Sequence, residues 1–260
     1  MDAIVSINPG SEVIVVDDDS SDRTFELASG TAAKVIKHRS NRGYGASLKT
    51  GIRAASNEII AICDADGTYP IERIPEFTKE LEKCDMVVGS RTGEKVFIPR
   101  NRKPAKWFLR KLAAHITGVN IPDLNSGLRV FRKSLAIQYF NLLPSGFSFT
   151  TTITVASLCD DLEVCYIPIN YNQRTGKSKI NPGHFPNFIM LVLRLAVLFR
   201  PLKVFVPVSL FCFALGLLKL ALDVISAVHQ AGSLGAILTS FPVVSTTSVI
   251  LFVSALQILL

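Results

Sequence analysis

From Val204 to Leu218 the chain reads VFVPVSLFCFALGLL, fifteen residues without a charge, and it continues as KLALDVISAV to Val228. A helix that crosses a bilayer needs roughly 20 mostly apolar residues. A second run, Phe241 to Leu260, carries no charge at all, and the HQAGSLGAILTS connection between the two holds Gly and Ser but no Lys or Arg. Two apolar spans with a short uncharged connection predict a transmembrane hairpin, with spans at 203–228 and 241–260 and the second cut short by the end of the sequence. Lys219 and Asp223 stand four apart in the first span, a spacing that lets them share a helix face and pair. Arg194, Arg200 and Lys203 precede the first span, and no Lys or Arg follows Lys219. The positive-inside rule then places the N-terminal part in the cytoplasm. Phe185 to Phe199, apolar with Arg194 and Arg200 at its basic end, predicts an interfacial amphipathic helix over 184–202. The expectation is a multi-pass membrane protein; the alternative is a set of buried helices in a soluble one.

Composition narrows the partner. The chain is 48% hydrophobic and only 19% charged, the opposite of the bias that keeps a chain disordered. A net charge of +7 points to an anionic partner: nucleic acid, a phosphate-rich ligand or a membrane surface. The basic residues crowd near the apolar segments and no nucleic-acid motif is present, which excludes nucleic acid. Five cysteines without a Cys-x-x-Cys pair argue against a disulfide framework or zinc ribbon and for reduced thiols. Met1 to Pro9 is too short, and lacks the basic start, for a signal peptide.

Residues 1–183 alternate two periodicities. Glu12–Asp17, Lys34–His38, Glu58–Cys63 and Asp85–Gly89 are short β-branched runs, predicting strands buried on both faces of a sheet. Between them Asp22–Ser29, Ala46–Ser56 and Ile71–Lys83 show helical spacing. This alternation implies βαβ units and a three-layer α/β domain with a mixed, mostly parallel sheet. In such sheets ligands bind at the carboxyl ends of the strands. Three of those ends are polar: Asp17-Asp18-Asp19-Ser20-Ser21-Asp22, then Asp64-Ala65-Asp66-Gly67, then Ser90-Arg91. Two carboxylates one residue apart can contact one hard cation, and Mg²⁺ or Mn²⁺ takes one or two carboxylates plus phosphate oxygens. Plainer readings stand beside this: Ser20 or Ser21 capping the next helix, and an ordinary turn at Asp64–Gly67. Gly43-Tyr44-Gly45 is an incomplete dinucleotide fingerprint, yet a glycine-opened helix start at Gly43 is a natural neighbour for phosphate or ribose. No P-loop occurs.

Six segments in order carry a resemblance: VIVVDDDSSD (13–22), NRGYGASLKTGI (41–52), DADG (64–67), VVGSR (87–91), DLNSGLRVFRK (123–133) and RTGKSK (174–179). Together they resemble glycosyltransferase family 2, with a GT-A fold, in the membrane-anchored branch of dolichyl-phosphate mannose synthases and polyprenyl-phosphate sugar transferases. The resemblance covers about residues 11 to 200. It implies that Asp17 and Asp18 contact the nucleotide and that the Asp64-Ala65-Asp66 element holds a divalent cation, Asp64 and Asp66 being the ligands. It also implies that Arg91 meets phosphate, and that Asp123, Ser126 and Arg129 lie on the acceptor side. Arg174, Ser178 and Lys179 would clamp the acceptor phosphate near the membrane.

The activity so implied is inverting transfer of a mannose- or glucose-type hexose from a GDP- or UDP-sugar to polyprenyl phosphate, with Mg²⁺ or Mn²⁺. A lipid phosphate is already an anion and needs no strong base; Asp123 is the base candidate if the acceptor is instead a hydroxyl. The plain reading of Arg129, Arg174 and Lys179 is a solvated basic face attracted to anionic lipid. The basic, amphipathic stretch Pro99–Thr117 reads as an acceptor-side flap on the membrane or as an ordinary surface helix. The family's opening strand, with its Pro-x-Tyr-Asn-Glu-like end, has no counterpart here, so both ends read as truncated. An inactive membrane scaffold is therefore a rival expectation, and a homo-oligomer is compatible with either.

Overall fold

The computed structural model describes residues 10–96, 103–146, 148–173, 185–231 and 244–259. The chain divides into two compact units, Met1–Leu195 and Ala196–Leu260.

The first unit alternates strands and helices as the two periodicities require. In chain order it contains β1 (Ile14–Asp17), α1 (Thr24–Ser29), β2 (Lys34–Lys37), α2 (Tyr44–Ala54) and β3 (Ile59–Ile62). A 3₁₀ turn at Ile71–Arg73 leads into α3 (Ile74–Glu80), followed by β4 (Met86–Ser90), α4 (Lys103–Thr117) and β5 (Arg129–Arg132). Then come α5 (Lys133–Gln138), α6 (Phe149–Cys159), β6 (Val164–Pro168) and α7 (Phe185–Phe199), whose last four residues belong to the second unit. Each expected strand and helix is present, with ends moved by at most three residues.

The sheet structure is mixed, as expected, but it is neither single nor mostly parallel. Among the described residues β1 and β2 form a parallel pair, and a separate sheet runs β3-β5-β4-β6. In that sheet β5 is antiparallel to both β3 and β4, while β4 and β6 are parallel. Only β4 is buried along its whole length. β3 alternates, with Ile59 44% exposed and Ile60 and Ile62 buried, so its apolar run covers one face of core rather than two. Periodicity cannot separate these cases in a four-residue strand.

Helix α3 covers one face of the larger sheet, where Phe77 and Leu81 pack with Val87, Leu128, Val130 and Ile169. Helix α6 is buried at every position from Phe149 to Cys159. Two of its buried threonines return their hydroxyls to the backbone. Thr152 and Thr154 donate to the carbonyls four residues back, the usual accommodation of Thr inside a helix.

The turn into α1 differs from the expectation of a serine cap. Asp22 accepts from the Thr24 backbone N–H at 3.0 Å and from the Thr24 hydroxyl, so the aspartate turns the chain into the helix. At α2 the glycines serve packing. A Cβ on Gly45 would lie 2.1 Å from the Pro144 carbonyl oxygen, so only glycine lets this helix start press against the 144–146 loop.

The second unit contains α8 (Pro201–Ala231) and α9 (Thr246–Leu259). One helix among the described residues, Pro201–His229, is long and apolar enough to cross a membrane, with mean hydropathy 2.2. The other spans 14 residues, short of the expected 241–260. Lys219 pairs with Asp223 as the spacing required. Asp223 also accepts from the Ser245 N–H at 3.1 Å and the Ser248 hydroxyl at 2.8 Å, capping the N-terminus of α9 from the neighbouring helix. Ser209 donates to the Ala255 carbonyl at 2.7 Å. Phe213 meets Phe252 edge-on at 5.3 Å.

Candidate active site

The antiparallel insertion of β5 builds the site. Arg129, the first residue of β5, pairs with Ile62 at the end of β3 and with Val88 near the end of β4. The 123–128 turn therefore arrives at the same sheet edge as Asp64, Asp66 and Arg91. The parallel pair β4–β6 brings Pro168 level with Ser90. Segments separated by more than 60 positions thus converge on one edge, as ligand sites in open α/β sheets do.

Asp17 and Asp18 leave β1 side by side and take different roles. Asp17 is 2% exposed, and its Oδ2 is buried without a hydrogen-bond partner. Asp18 is engaged: it accepts from the backbone N–H groups of Arg42 (2.8 Å) and Gly43 (2.7 Å) and bonds His38 Nδ1 at 2.7 Å. Burial opposes its charge, but the bonds from His38, Arg42 and Gly43 together hold its carboxyl below the usual range. His38 is buried and reaches Thr50 through Nε2 at 2.9 Å. Asp18 thereby anchors the turn into α2.

Two N–H groups of the glycine-opened helix start at Gly43 are engaged within the protein. The Gly43 N–H is held by Asp18, and the Ala46 N–H donates to the Ser145 carbonyl at 2.9 Å. Those donors are spent on the protein.

Asp64 and Asp66 close β3, with exposed Ala65 between them. The Tyr44 hydroxyl donates to Asp64 Oδ1 at 3.0 Å. Burial and the Asp64 charge push the Tyr44 phenol up, so it stays a donor. Asp66 Oδ1 accepts from both the backbone N–H and the hydroxyl of Thr68, and Thr68 is fully buried. Thr68 therefore orients Asp66. Gly127 faces Asp64: a Cβ there would lie 2.8 Å from Asp64 Oδ2. Among the described residues no group of three or more His, Cys, Asp or Glu side chains surrounds this point. Two hard carboxylate donors, one of them seated against a glycine that leaves room for it, fit a Mg²⁺ or Mn²⁺ ion that takes its other ligands from phosphate and water.

A direct consequence concerns Gly127. Its replacement by alanine is expected to displace the Asp64 carboxylate and weaken Mn²⁺ binding by roughly 10–100-fold. The apparent Tm should fall by only a few degrees. A Mn²⁺ binding titration, beside a melting curve, checks both.

Arg91 and Asp123 meet as a bidentate pair, Nε–Oδ2 at 2.6 Å and Nη2–Oδ1 at 2.8 Å, and the Arg91 N–H adds a third bond to Oδ2 at 3.1 Å. Both side chains are nearly buried. Although burial disfavours its charge, the Asp123 bonds push Arg91 above its ordinary value. The Arg91 guanidinium also lies 5.3 Å from the Tyr171 ring centroid. Asp123 thus spends both oxygens on Arg91, and Oδ1 also accepts from the Asn125 N–H at 3.2 Å.

Arg129 is a correction. It is fully buried, and its guanidinium donates to the carbonyls of Ser126 (2.8 Å) and Leu124 (2.9 Å) and to the Thr154 hydroxyl. Burial pushes it below its ordinary value. It staples the 123–128 turn from beneath and does not face solvent. Ser126 is likewise buried. Thr151 donates to Asn125 at 3.3 Å, and the Tyr69 hydroxyl accepts from the Gly127 N–H at 2.7 Å. Sequence reasoning missed Tyr44, His38, Tyr69 and Thr154, whose partners lie 20 to 58 positions away. Arg174, Ser178 and Lys179 lie outside the described residues.

Comparison with known proteins decides the family. The model for glycosyl transferase family 2 matches residues 2–140, more than half of the 260 residues. The chain belongs to glycosyl transferase family 2. As a family 2 member it is a glycosyltransferase, and residues 200–260 match the GtrB C-terminal hairpin. The chain is 29% identical over 178 residues to the dolichyl-phosphate hexose transferase of Haloferax volcanii, covering 68% of this chain and 77% of that one. It is 28% identical over 200 residues to the undecaprenyl-phosphate mannosyltransferase of Micrococcus luteus, covering 72% and 82%. Among solved structures it resembles glucosyl-3-phosphoglycerate synthase from Mycobacterium tuberculosis, bound to Mn²⁺, UDP and glucosyl-3-phosphoglycerate. That likeness has a TM-score of 0.57 and 19% identity over 75% of this chain and 74% of the other. It supports the GT-A, Rossmann-like fold with mixed sheets.

Proposed function

We propose that this glycosyltransferase moves a mannose- or glucose-type hexose from a nucleoside diphosphate to a polyprenyl phosphate, dolichyl or undecaprenyl, with inversion at the anomeric carbon. A lipid-phosphate oxygen attacks C1 as the bond from C1 to the β-phosphate oxygen breaks, and the nucleoside diphosphate leaves with the electron pair. Bound Mg²⁺ or Mn²⁺ would stabilise the charge on the leaving phosphates. Asp64 and Asp66 would hold it. Asp17, with its bare buried oxygen, would accept an N–H of the donor nucleotide, and Asp18 would shape that pocket through the α2 start.

The observation that carries the acceptor assignment is the Arg91–Asp123 pair. Deprotonating a hydroxyl needs a carboxylate ready to take the proton, whereas a phosphate arrives ionised. The names of the Haloferax and Micrococcus relatives support the same acceptor class. Arg174, Ser178 and Lys179 are the proposed clamp for that phosphate.

Residues 1–183 would form the catalytic domain, 184–202 the interfacial helix, and 203–228 and 241–260 the hairpin, with the catalytic domain on the cytoplasmic face. In support, Leu202, Leu210, Phe211, Leu218 and Ile225 on α8 are all about 60–70% exposed, an apolar surface suited to lipid. Trp107 and Phe108 on α4 are exposed while Leu109, Ala113 and Ile116 are buried, which suits a helix resting on the headgroup region.

The test uses the full chain in detergent with Mn²⁺ and radiolabelled GDP-mannose and UDP-glucose in parallel. One set receives polyprenyl phosphate and the other the free polyprenol. Label entering the organic phase only with the phosphate supports the proposal and identifies the sugar. Label entering with the alcohol transfers the case to a hydroxyl-directed enzyme, and no label from any pairing favours the inactive scaffold.

A further inference from the structure

We propose that Tyr44 is a positioning residue for Asp64: its hydroxyl orients the carboxylate that receives the divalent cation. The inference rests on the reading of Asp64 and Asp66 as the metal pair and assigns a duty to a residue outside that pair.

Tyr44 is the first residue of α2, and the backbone around it is held from two sides. On one side Asp18 binds the Gly43 N–H at 2.7 Å, with Asp18 itself braced by His38, whose other ring nitrogen meets Thr50. On the other, the Ser145 carbonyl takes the Ala46 N–H at 2.9 Å, and Gly45 rests against the Pro144 carbonyl with no room for a Cβ. A residue so placed has little backbone freedom, and a tyrosine ring adds only two side-chain torsions. Its hydroxyl is therefore delivered to a fixed point, 3.0 Å from Asp64 Oδ1.

Asp64 is bounded from the other direction by Gly127, whose missing Cβ would lie 2.8–3.0 Å from the carboxylate atoms. The carboxylate sits between a fixed donor and a backbone wall. That arrangement limits rotation about its terminal torsion, which is otherwise broad. Outer-shell groups that fix a ligand in this way typically contribute 10–100-fold to metal affinity or activity. The same bonds form a route from β1 to β3, through Asp18, Gly43, Tyr44 and Asp64, so the nucleotide side and the metal side of the site share one scaffold.

The test is Tyr44→Phe, which keeps the ring and removes only the hydroxyl. Mn²⁺ binding to the full detergent-solubilised chain is followed by loss of the free-ion EPR signal, with UDP or GDP present and no acceptor. A roughly tenfold weaker Mn²⁺ dissociation constant is expected, with the apparent Tm unchanged. Added to Asp64→Asn, the same substitution should have no further effect, because the group it orients is gone. Mn²⁺ affinity equal to that of the parent overturns the proposal, as does a lowered Tm without a change in affinity, which would make Tyr44 merely structural. If Asp64→Asn also binds Mn²⁺ as tightly as the parent, the metal pair itself is wrong; if only Tyr44→Phe is silent, the pair stands and the positioning role falls.

Discussion

Asp66→Asn is expected to lower the transfer rate by roughly 10²–10³-fold, the usual cost of removing one preorganised element of charge stabilisation. Asparagine keeps an Oδ1 that can still accept both bonds from Thr68, so the turn after β3 should keep its shape and the Tm should move little. What is lost is the negative charge that, in the proposed reaction, would hold the cation against the departing phosphates. Initial rates at saturating donor and Mn²⁺, set beside a melting curve, separate these two effects. Near-normal activity in the variant would remove the metal assignment.

The second large effect is on stability. Arg129→Ala is expected to cost about 3 kcal/mol or more, because it opens a cavity and leaves the Ser126 and Leu124 carbonyls and the Thr154 hydroxyl without their donor. In a unit of this size that corresponds to a fall of about 10 °C in apparent Tm. The effect discriminates sharply, since an arginine on a solvated basic face would change stability by only about 0.5 kcal/mol when truncated. Thr154→Val should show the same dependence in miniature, about 1 kcal/mol for one bond. Thermal melts of the two variants check both figures; an unchanged Tm in Arg129→Ala would contradict the staple.

The strand ends were readable in the sequence because β-branched runs and the acidic residues after them are local features. Asp17, Asp64, Asp66 and Arg91 all lie at strand ends or just beyond them, where that reading places them. The direction of β5 was not readable. Nothing local to RVFR distinguishes a parallel from an antiparallel strand, yet its reversal is what brings the 123–128 turn to the site. Charge misled at Arg129, since an arginine counts as surface until its partners are known, and those partners are carbonyls of its own turn and a threonine 25 positions away. Asp123 was a candidate base for the same reason: a lone carboxylate in sequence says nothing of the guanidinium 32 positions earlier that takes both its oxygens. The Lys219–Asp223 pair, by contrast, follows from helical spacing alone and was legible.

The most direct test of the central claim is the linkage formed in the product. Lipid extracted after a preparative reaction with polyprenyl phosphate and the active donor is examined by ³¹P and ¹H NMR. A single phosphodiester joining the lipid to C1 of the hexose, with the anomeric configuration opposite to that of the donor, is the predicted result. A lipid phosphate that remains a monoester while the sugar appears on a hydroxyl, or a phosphodiester with retained configuration, would contradict it.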